Sequence, residues 1–578
     1  MGSRGLVARQ GHAFISAWNF RLYYEIENHT DQHSLYNGSG YSLFYTKSRD
    51  CIKWIRDGEA IKHHQSFRNS SGEYQLYSGV GFGKRGDIVD SHILKKDIFF
   101  TVEGMAFPKI EDKSAQSILS YTNSILAQYT INLYTAQHKQ VGNMNLLPMP
   151  DYATRQSDIE RIVNAIIDIK RKWFSLDETN LEYHGLIAQM GIDGCLADCF
   201  DKLQNQLSTD HARYRELVRE NDDLWMDLAH IDRDSDFRKT LNDYKSRRPY
   251  EELLSIDGAS NRNLIDCKVM AQEMVQELVG MAFGRWDIRY AQHPETIPPF
   301  GDLFDALPFM PVVSLSDVPS DYSVRVPDNG ILCNQLKSPL NLAERVRDVM
   351  HLLWHNKADD LEYELCQLIG VKNLQEYMTQ PSGFFEFHFK RYTKSRRKAP
   401  IYWPLSSADG TLTYWVYYPR LSKNTLPNLM MTLRNEDERL RSQLNATLAA
   451  KDKTLETAIR SEKEQVAGMM EEVNRLMGLG YVPNHDDGVP VTAAPLVQLI
   501  AHAAWRNECQ TNMNTLEKGD YDWSHLAMSM YPARVTQKAK KDWCLALTHG
   551  LEHLCENKPK EKKSNRKKTV SKEPGLGF

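Results

Sequence analysis

The sequence predicts an α+β fold, in which a strand-rich N-terminal domain precedes a mostly helical C-terminal region with a small β-hairpin and a long charged helix. Two observations lead to this prediction. Up to residue 150, short aromatic and β-branched runs alternate with Gly, Asn and Asp, as in strands joined by turns. From residue 156 onward, apolar residues recur at the spacing of amphipathic helices.

The N-terminal domain, residues 1–150, is predicted to contain strands and one helix. The helix is expected over 114–127, where apolar residues recur at helical spacing. The glycine-rich segment GVGFGKRGD (79–87) is interpreted as a turn that displays Lys84 and Arg85, because a phosphate-binding loop would need Ser or Thr after the lysine. The predicted strands are YSLFY (41–45), CIKWI (51–55), EYQLY (73–77) and DIFFTVEGMAF (97–107).

The rest of the chain is predicted to be mainly helical. Its hairpin joins 401–407 to 411–418 through Asp409-Gly410, a strong hairpin signal. Leucines that repeat between charged residues over 431–477 fit either a long helix folded back on the body or an antiparallel coiled-coil arm. The predicted units are a helical domain (151–290), a mixed domain with a proline-rich loop, a basic loop and the hairpin (291–430), the long helix or arm (431–480), a helical C-terminal unit (481–556) and a basic, disordered tail (557–578).

Composition narrows the possible classes of protein. With 71 Lys and Arg against 75 Asp and Glu, the chain is not a polycation, so any contact with nucleic acid must come from local basic patches. Nine cysteines are too few for a disulfide framework in 578 residues and favour a reducing compartment. No run of about 18 apolar residues exists, and the first twenty residues lack the apolar segment of a signal peptide. We therefore expect a cytoplasmic protein with no membrane partner.

Two motifs that could carry chemistry are incomplete. Ile297-Pro298-Pro299-Phe300 has the Pro-Pro-aromatic pattern of amino-methyltransferases, but Ile297 has no polar atom that could accept a hydrogen bond from an adenine amine, so we interpret this segment as a loop. His351 and His355 have a spacing compatible with zinc on one helical face. No Glu lies between them and no third ligand is evident, so plain polar-face histidines are the favoured interpretation.

The strongest basic cluster is HFKRYTKSRRKAPIYW (388–403), in which six of the nine residues 390–398 are Lys or Arg. Such side chains neutralise phosphates, and the interleaved Tyr392 and the following Tyr402-Trp403 offer stacking or sugar contacts. The alternative is a solvated basic loop without a ligand. A weaker basic set in the first domain comprises Lys53, Arg56, Lys62, Arg68, Lys84, Arg85, Lys95 and Lys96.

Several long segments are similar to one known family. The chain resembles the C-terminal half, the target-recognition domain plus the helical C-terminal domain, of the PglX-like adenine-specific DNA methyltransferases of BREX and DISARM phage-defence systems. That family is related to type IIL restriction-modification enzymes. The similar segments are KWIRDGEAIKHH (53–64), YSGVGFGKRGD (77–87), KKDIFFTVEGMAFPK (95–109), NSILAQYTINLYTAQHKQVGNMNLLPMP (123–150), GMAFGRWDIR (280–289), ELCQLIGV (364–371), PSGFFEFHFKRYTKSRRKAPIYWPLSS (381–407), TYWVYYPRL (413–421), DDGVPVTAAPL (486–496) and DYDWSHLAMSMYPARV (520–535).

The resemblance implies double-stranded DNA as a partner. The family's catalytic domain, with its glycine-rich S-adenosylmethionine loop and its Asn-Pro-Pro-Tyr motif, has no counterpart in this sequence. We therefore predict no catalytic, cofactor-binding or metal-binding residue here, and expect S-adenosylmethionine on a separate or missing methyltransferase domain. Partners would be that methyltransferase subunit or other defence proteins. The residues expected to face DNA are Lys84, Arg85, Lys95 and Lys96 in the first domain and Arg391, Lys394, Arg396 and Arg397 in the basic loop.

Two alternatives to the recognition half of an adenine methyltransferase remain open at this point. The chain could be a helical scaffold subunit of a defence complex that makes no DNA contact of its own. It could also be a free-standing nuclease, since a D…E-x-K pattern can be traced through Asp97, Glu111 and Lys113. With 25% of the residues charged, such a triplet readily arises by chance.

Overall fold

A computed structural model describes residues 1–2, 5–13, 18–26, 32–36, 42–63, 67–68, 70, 72–135, 137–192, 194–246, 266–336 and 338–558. From residue 559 onward, the predicted basic tail lies outside these described residues. Helices account for 56% of the structure and strands for 11%, and the small sheets lie mainly in the N-terminal part, so the predicted α+β class is confirmed. None of the described helices is both long enough and apolar enough to span a membrane.

The strands of the described residues form four small sheets. One has the order β1-β3-β2-β6, in which only the β2–β6 pair is parallel. The others are β5-β4-β7, β11-β12-β8 and the β9-β10 hairpin, all antiparallel. The strands are β1 Phe20–Leu22, β2 Gln32–Tyr36, β3 Asp50–Lys53, β4 Gly79–Gly83, β5 His92–Leu94, β6 Ile98–Phe100, β7 Gly104–Pro108, β8 Ile331–Cys333, β9 Thr393–Lys394, β10 Arg397–Lys398, β11 Tyr402–Ser406 and β12 Thr413–Tyr417.

Helices form most of the chain after residue 110. They are preceded by one short helix in the N-terminal part, α1 Ile55–Lys62. The others are α2 Asp112–Thr122, α3 Ile125–Tyr134, α4 Val141–Leu146, α5 Gln156–Phe174, α6 Leu186–Met190, α7 Leu196–Leu228, α8 Asp236–Ser246, α9 Cys267–Phe283, α10 Ile288–Gln292, α11 Leu342–Trp354, α12 Ala358–Ile369, α13 Leu374–Thr379, α14 Phe384–Arg391, α15 Thr425–Ala450, α16 Lys453–Gly478, α17 Val489–Ala493, α18 Ala503–Lys518, α19 His525–Met530, α20 Pro532–Ala539 and α21 Trp543–Thr548.

The glycine-rich segment is a strand, β4, and not the predicted turn; the turn begins only at Lys84. Along β4, Val80 and Phe82 are fully buried on the core face. The glycines take the other face, where a Cβ on Gly81 would lie 2.9 Å from His92 Nε2 and one on Gly79 would lie 2.0 Å from the Phe107 carbonyl oxygen. The glycines are therefore required by close packing.

The strands predicted over 41–45 and 73–77 and the predicted helix differ from the structure, and the strand predicted over 97–107 is two strands, β6 and β7. Residues 42–45 and 73–77 form loops and turns, although Leu43 and Phe44 still enter the core. The helix expected over 114–127 is two helices, because the chain turns at Asn123 and the Ser124 hydroxyl caps α3 by accepting from the Ala127 N–H. The predicted hairpin is confirmed as β11 and β12, and β8 adds a third strand to it.

One apolar core runs through the chain. It contains Leu22 and Phe107 of the N-terminal part, Trp225 of α7, Trp403 of β11 and Trp505 of α18. The predicted units between residues 1 and 556 therefore share a core, and the N-terminal sheets are held directly against the helical region.

The segment predicted as one long charged helix is an antiparallel pair, α15 and α16. The chain reverses at Lys451, whose φ of 56° is left-handed, and Asp452 caps α16 by accepting from the Thr454 and Leu455 N–H groups at 3.1 and 3.0 Å. Across the pair, Arg439 lies 3.7 Å from Glu462. This geometry is that of the antiparallel arm, the second of the two sequence interpretations.

Asp452→Ala should destabilise the first turn of α16, where the chain reverses between the two helices. Loss of an N-cap costs about 1 kcal/mol, so the amides at the start of α16 should exchange with solvent about fivefold faster. Hydrogen–deuterium exchange of peptides covering 448–459 measures this. Asp452→Asn keeps a capping oxygen and is the matched control. Equal exchange rates in the two variants would contradict the assigned cap.

Candidate nucleic-acid interface

The predicted basic loop forms the end of α14 and the β9-β10 hairpin, and most of its charge is turned inward. Arg391 donates to Asp177 at 2.5 Å and to Glu273 at 2.6 Å. Lys394 pairs with Asp50. Arg397 binds both oxygens of Glu25 at 2.6 Å.

These pairs join the loop to the N-terminal part and to the helical domain, so the expectation that Arg391 and Arg397 face a duplex is wrong. Their side chains are only 12% exposed, and the carboxylates they contact are buried. A buried carboxylate needs a cation and hydrogen bonds to stay charged, which explains the inward orientation. Lys394 is likewise engaged by Asp50, although it also lines a surface recess.

Arg396 is the exception in the loop. It lies at the exposed hairpin turn, next to Ser395, whose φ is 52°. Within the described part of the chain, Arg396 makes no ion pair. The turn therefore presents one cation, not the predicted four.

The four predicted residues of the first domain divide in the same way. Lys95 is buried and lies 3.7 Å from Glu182, so the expectation that it faces DNA is wrong. Lys84 and Arg85 lie in the turn that follows β4, but both are held by Glu103, at 3.5 and 2.8 Å. Lys96 is exposed.

Lys96 belongs to a group of cations and tyrosines around the turn that precedes β4. We call this group the basic–aromatic edge: Arg9, Tyr74, Tyr77, Lys96 and Lys109. The Arg9 guanidinium lies 4.4 Å from the centre of the Tyr74 ring, and Lys109 Nζ lies 5.1 Å from that of Tyr77. No carboxylate in the described ranges pairs with any of the three cations.

Backbone hydrogen bonds place these residues around one end of the β5-β4-β7 sheet. Arg9 pairs with Ala106 of β7. The Lys109 N–H donates to the Ser78 carbonyl at 2.9 Å, and the Asp97 N–H donates to the Leu76 carbonyl at 3.1 Å. The three cations, which are distant in sequence, therefore surround residues 74–78.

Arg9, Tyr74, Tyr77 and Lys109 were not among the residues predicted to face DNA. Arg9 and Lys109 are isolated cations, without the density of charge that identified the loop at 390–398. Two weak signals were present, since Tyr74 and Tyr77 lie three residues apart and Lys109 follows the last apolar run of the domain. Only the sheet register brings them together.

A buried polar cluster lies behind this surface, where the two N-terminal sheets meet. Asp90 accepts a hydrogen bond from the Gly83 N–H at 2.9 Å, and the rings of Tyr36 and His92 meet edge-on at 4.3 Å. Burial raises the pKa of Asp90 to about 7 and lowers the pKa of His92 to about 4. His92 is therefore neutral at pH 7, and the cluster holds the sheets together without a fixed charge pair.

The incomplete motifs form no metal or base-binding site in the described structure. α11 ends at Trp354, and His355 has a φ of 50°, so His351 and His355 do not share a helical face. Phe300 lies in a loop, as predicted, and stacks on His184 at 4.3 Å. Among the residues with described positions, no three His, Cys, Asp or Glu side chains are grouped to hold a metal ion.

Comparison with known proteins adds no assignment. The chain matches no protein-family model, and no curated protein matches it.

Proposed function

We propose that this chain is the DNA-binding, target-recognition half of an adenine-specific DNA methyltransferase of a BREX- or DISARM-type phage-defence system. In this proposal another polypeptide binds S-adenosylmethionine and transfers the methyl group. The resemblance of the sequence segments suggests the class of protein. The observation that supports contact with DNA is the basic–aromatic edge, where three cations without carboxylate partners surround two tyrosines.

The edge suits the backbone of a duplex. Arg9, Lys96 and Lys109 would contact phosphates and set the position of the protein on the DNA, while Tyr77, which is 43% exposed, would pack on a sugar or base edge. Arg396 at the hairpin turn and the Lys84–Arg85 turn would add further phosphate contacts. Cations without carboxylate partners are available to neutralise phosphates, which releases the counterions condensed on the DNA, so this edge should dominate the salt dependence of binding.

Arg9→Gln with Lys109→Gln should weaken duplex binding about tenfold or more at 0.1 M salt and reduce the salt slope by about one per lost contact. Fluorescence anisotropy with a labelled duplex measures both quantities. Lys113→Gln is the control, because Lys113 is also exposed and basic but faces Glu160 at 3.9 Å. Equal duplex affinities of the double variant and the control would show that the basic–aromatic edge does not contact DNA.

The helical-scaffold alternative is favoured by one feature, the α15–α16 arm, which exposes Leu448 and Leu455 near its reversal. A scaffold would co-purify with a methyltransferase subunit and yet leave duplex mobility unchanged at low salt. A recognition subunit would co-purify with that subunit and also shift the duplex.

A further inference from the structure

A narrow recess lies where the basic loop meets the N-terminal sheets. We call it the Arg49 recess. Its wall includes Tyr36 of β2, residues 46–50 before and at the start of β3, His92 of β5, and Lys394 of β9. The recess thus brings Lys394, from the loop singled out in the sequence, next to Lys47 and Arg49, which the sequence analysis did not single out.

Cations predominate in this wall. Lys47, Arg49 and Lys394 line it, against one carboxylate, Asp50. Asp50 is engaged by Lys394, and Lys47 Nζ lies 3.1 Å from Asp177 outside the recess. Arg49 and Lys47 both oppose protonation of Lys394, whose pKa is lowered chiefly by burial and further by these two charges. An anion in the recess would relieve this repulsion.

Arg49 is the cation best placed to receive an anion. In the described structure its guanidinium has no carboxylate partner, and its one side-chain hydrogen bond is a long one, of 3.4 Å, to the Thr179 hydroxyl. Its planar fork of N–H donors matches the oxygens of a phosphate. The Tyr36 hydroxyl in the same wall is buried and has no hydrogen-bond partner among the described residues, so it is a further donor.

The size of the recess limits what it can hold. Its cavity volume is about 30 Å³, and a cavity needs about 10–15 Å³ of this kind of volume to hold one water molecule. The recess therefore has room for about two groups of that size, such as two oxygens of a phosphate whose phosphorus lies at the mouth.

We propose that the Arg49 recess binds a phosphate group, with Arg49 as its main ligand and Lys394 beside it. The group is either a backbone phosphate of DNA, which would extend the proposed function, or a free phosphate anion. The binding site is separate from the basic–aromatic edge in the residues that form it, so the two can be tested independently.

In the test, inorganic phosphate is titrated into the whole 578-residue chain and its binding is measured by calorimetry. The affinity of the same protein for a labelled duplex is measured by fluorescence anisotropy. Arg49→Gln should weaken phosphate binding about tenfold or more, since it removes charge-assisted hydrogen bonds to the anion. Arg49→Lys keeps the charge, so it should retain part of the affinity and reports on the site if the glutamine variant misfolds. Lys390→Gln is the control in the same loop, because Lys390 is exposed and pairs with Glu386 at 2.7 Å.

The outcomes separate this inference from the proposed function. If Arg49→Gln weakens both phosphate and duplex binding, the recess holds a DNA phosphate. If it weakens phosphate binding alone, the recess holds a free anion and the duplex lies elsewhere. If the wild-type protein binds no phosphate, or if Arg49→Gln binds it as well as Lys390→Gln does, the inference is overturned even where duplex binding persists. Phosphate binding without any duplex binding would overturn the proposed function alone.

Discussion

Arg397→Met is expected to lower the free energy of unfolding by about 3–5 kcal/mol, because it leaves the buried carboxylate of Glu25 without its cation. Glu25 has no exposed side-chain surface, and both of its oxygens accept from Arg397 at 2.6 Å. The Leu22 and Val489 N–H groups also donate to it, at 2.8 and 2.9 Å. Glu25 therefore joins the N-terminal part, the basic loop and the C-terminal unit. Without Arg397, its buried and unpaired charge would weaken the packing of these three parts against one another.

Arg396→Met is the matched control, since it removes the neighbouring cation from an exposed turn and should change stability by no more than about 0.5 kcal/mol. Urea unfolding followed by tryptophan fluorescence measures both variants. A Glu25→Leu, Arg397→Met double variant should regain part of the lost stability, because no unpaired charge remains. Equal stability of the Arg397 and Arg396 single variants would mean that the Arg397–Glu25 ion pair does not stabilise the packing of the basic loop against the rest of the protein.

The second large effect depends on pH and on Asp90. In the folded protein, burial raises the pKa of Asp90 from 3.8 to about 7. Between these pH values the folded state binds more protons than the unfolded state, so stability falls as the pH rises. The contribution of Asp90 to this fall is about 3–4 kcal/mol between pH 4 and pH 7, at 1.36 kcal/mol per pKa unit.

Asp90→Asn should abolish this part of the pH dependence and stabilise the protein at pH 8, because a neutral amide oxygen can still accept from the Gly83 N–H. Burial also raises the pKa of Glu277 to about 7. Glu277 therefore continues to contribute to the dependence of stability on pH in this variant. Asp87→Asn, at an exposed carboxylate of the same loop, is the control. Urea unfolding at pH 5, 6, 7 and 8 gives the slopes. An unchanged slope in Asp90→Asn would show that Asp90 is ionised throughout.

Local sequence signals predicted those parts of the fold that local chemistry determines. Asp409-Gly410 predicted the β11-β12 hairpin because a tight turn requires a residue such as Gly410, whose φ is 76°. The position of the reversal between α15 and α16 was not predicted, since it places Lys451, not a glycine, in the left-handed region. The strand in the glycine-rich segment was missed because its glycines are required by neighbours, His92 and Phe107, that lie elsewhere in the sequence.

The candidate site was harder to predict because the exposure of each basic side chain depends on carboxylates that lie far away in the sequence. Lys95 and Lys96 are neighbours in sequence, yet one is buried near Glu182 and the other is exposed. Arg391 and Arg397 are engaged by acids more than 100 residues away along the chain. A run of basic residues predicts local positive charge. Whether each side chain is exposed to solvent or forms an ion pair with a buried carboxylate depends on the fold.

The central claim is that this chain binds double-stranded DNA. The most direct test is the affinity of the whole 578-residue chain for a DNA duplex, measured as a function of salt concentration. If the basic–aromatic edge contacts phosphates, log K should fall linearly with log salt concentration with a slope of about −0.9 per phosphate neutralised, or about −3 for its three cations. A duplex affinity that is flat between low and moderate salt, or no binding at low salt, would contradict the account.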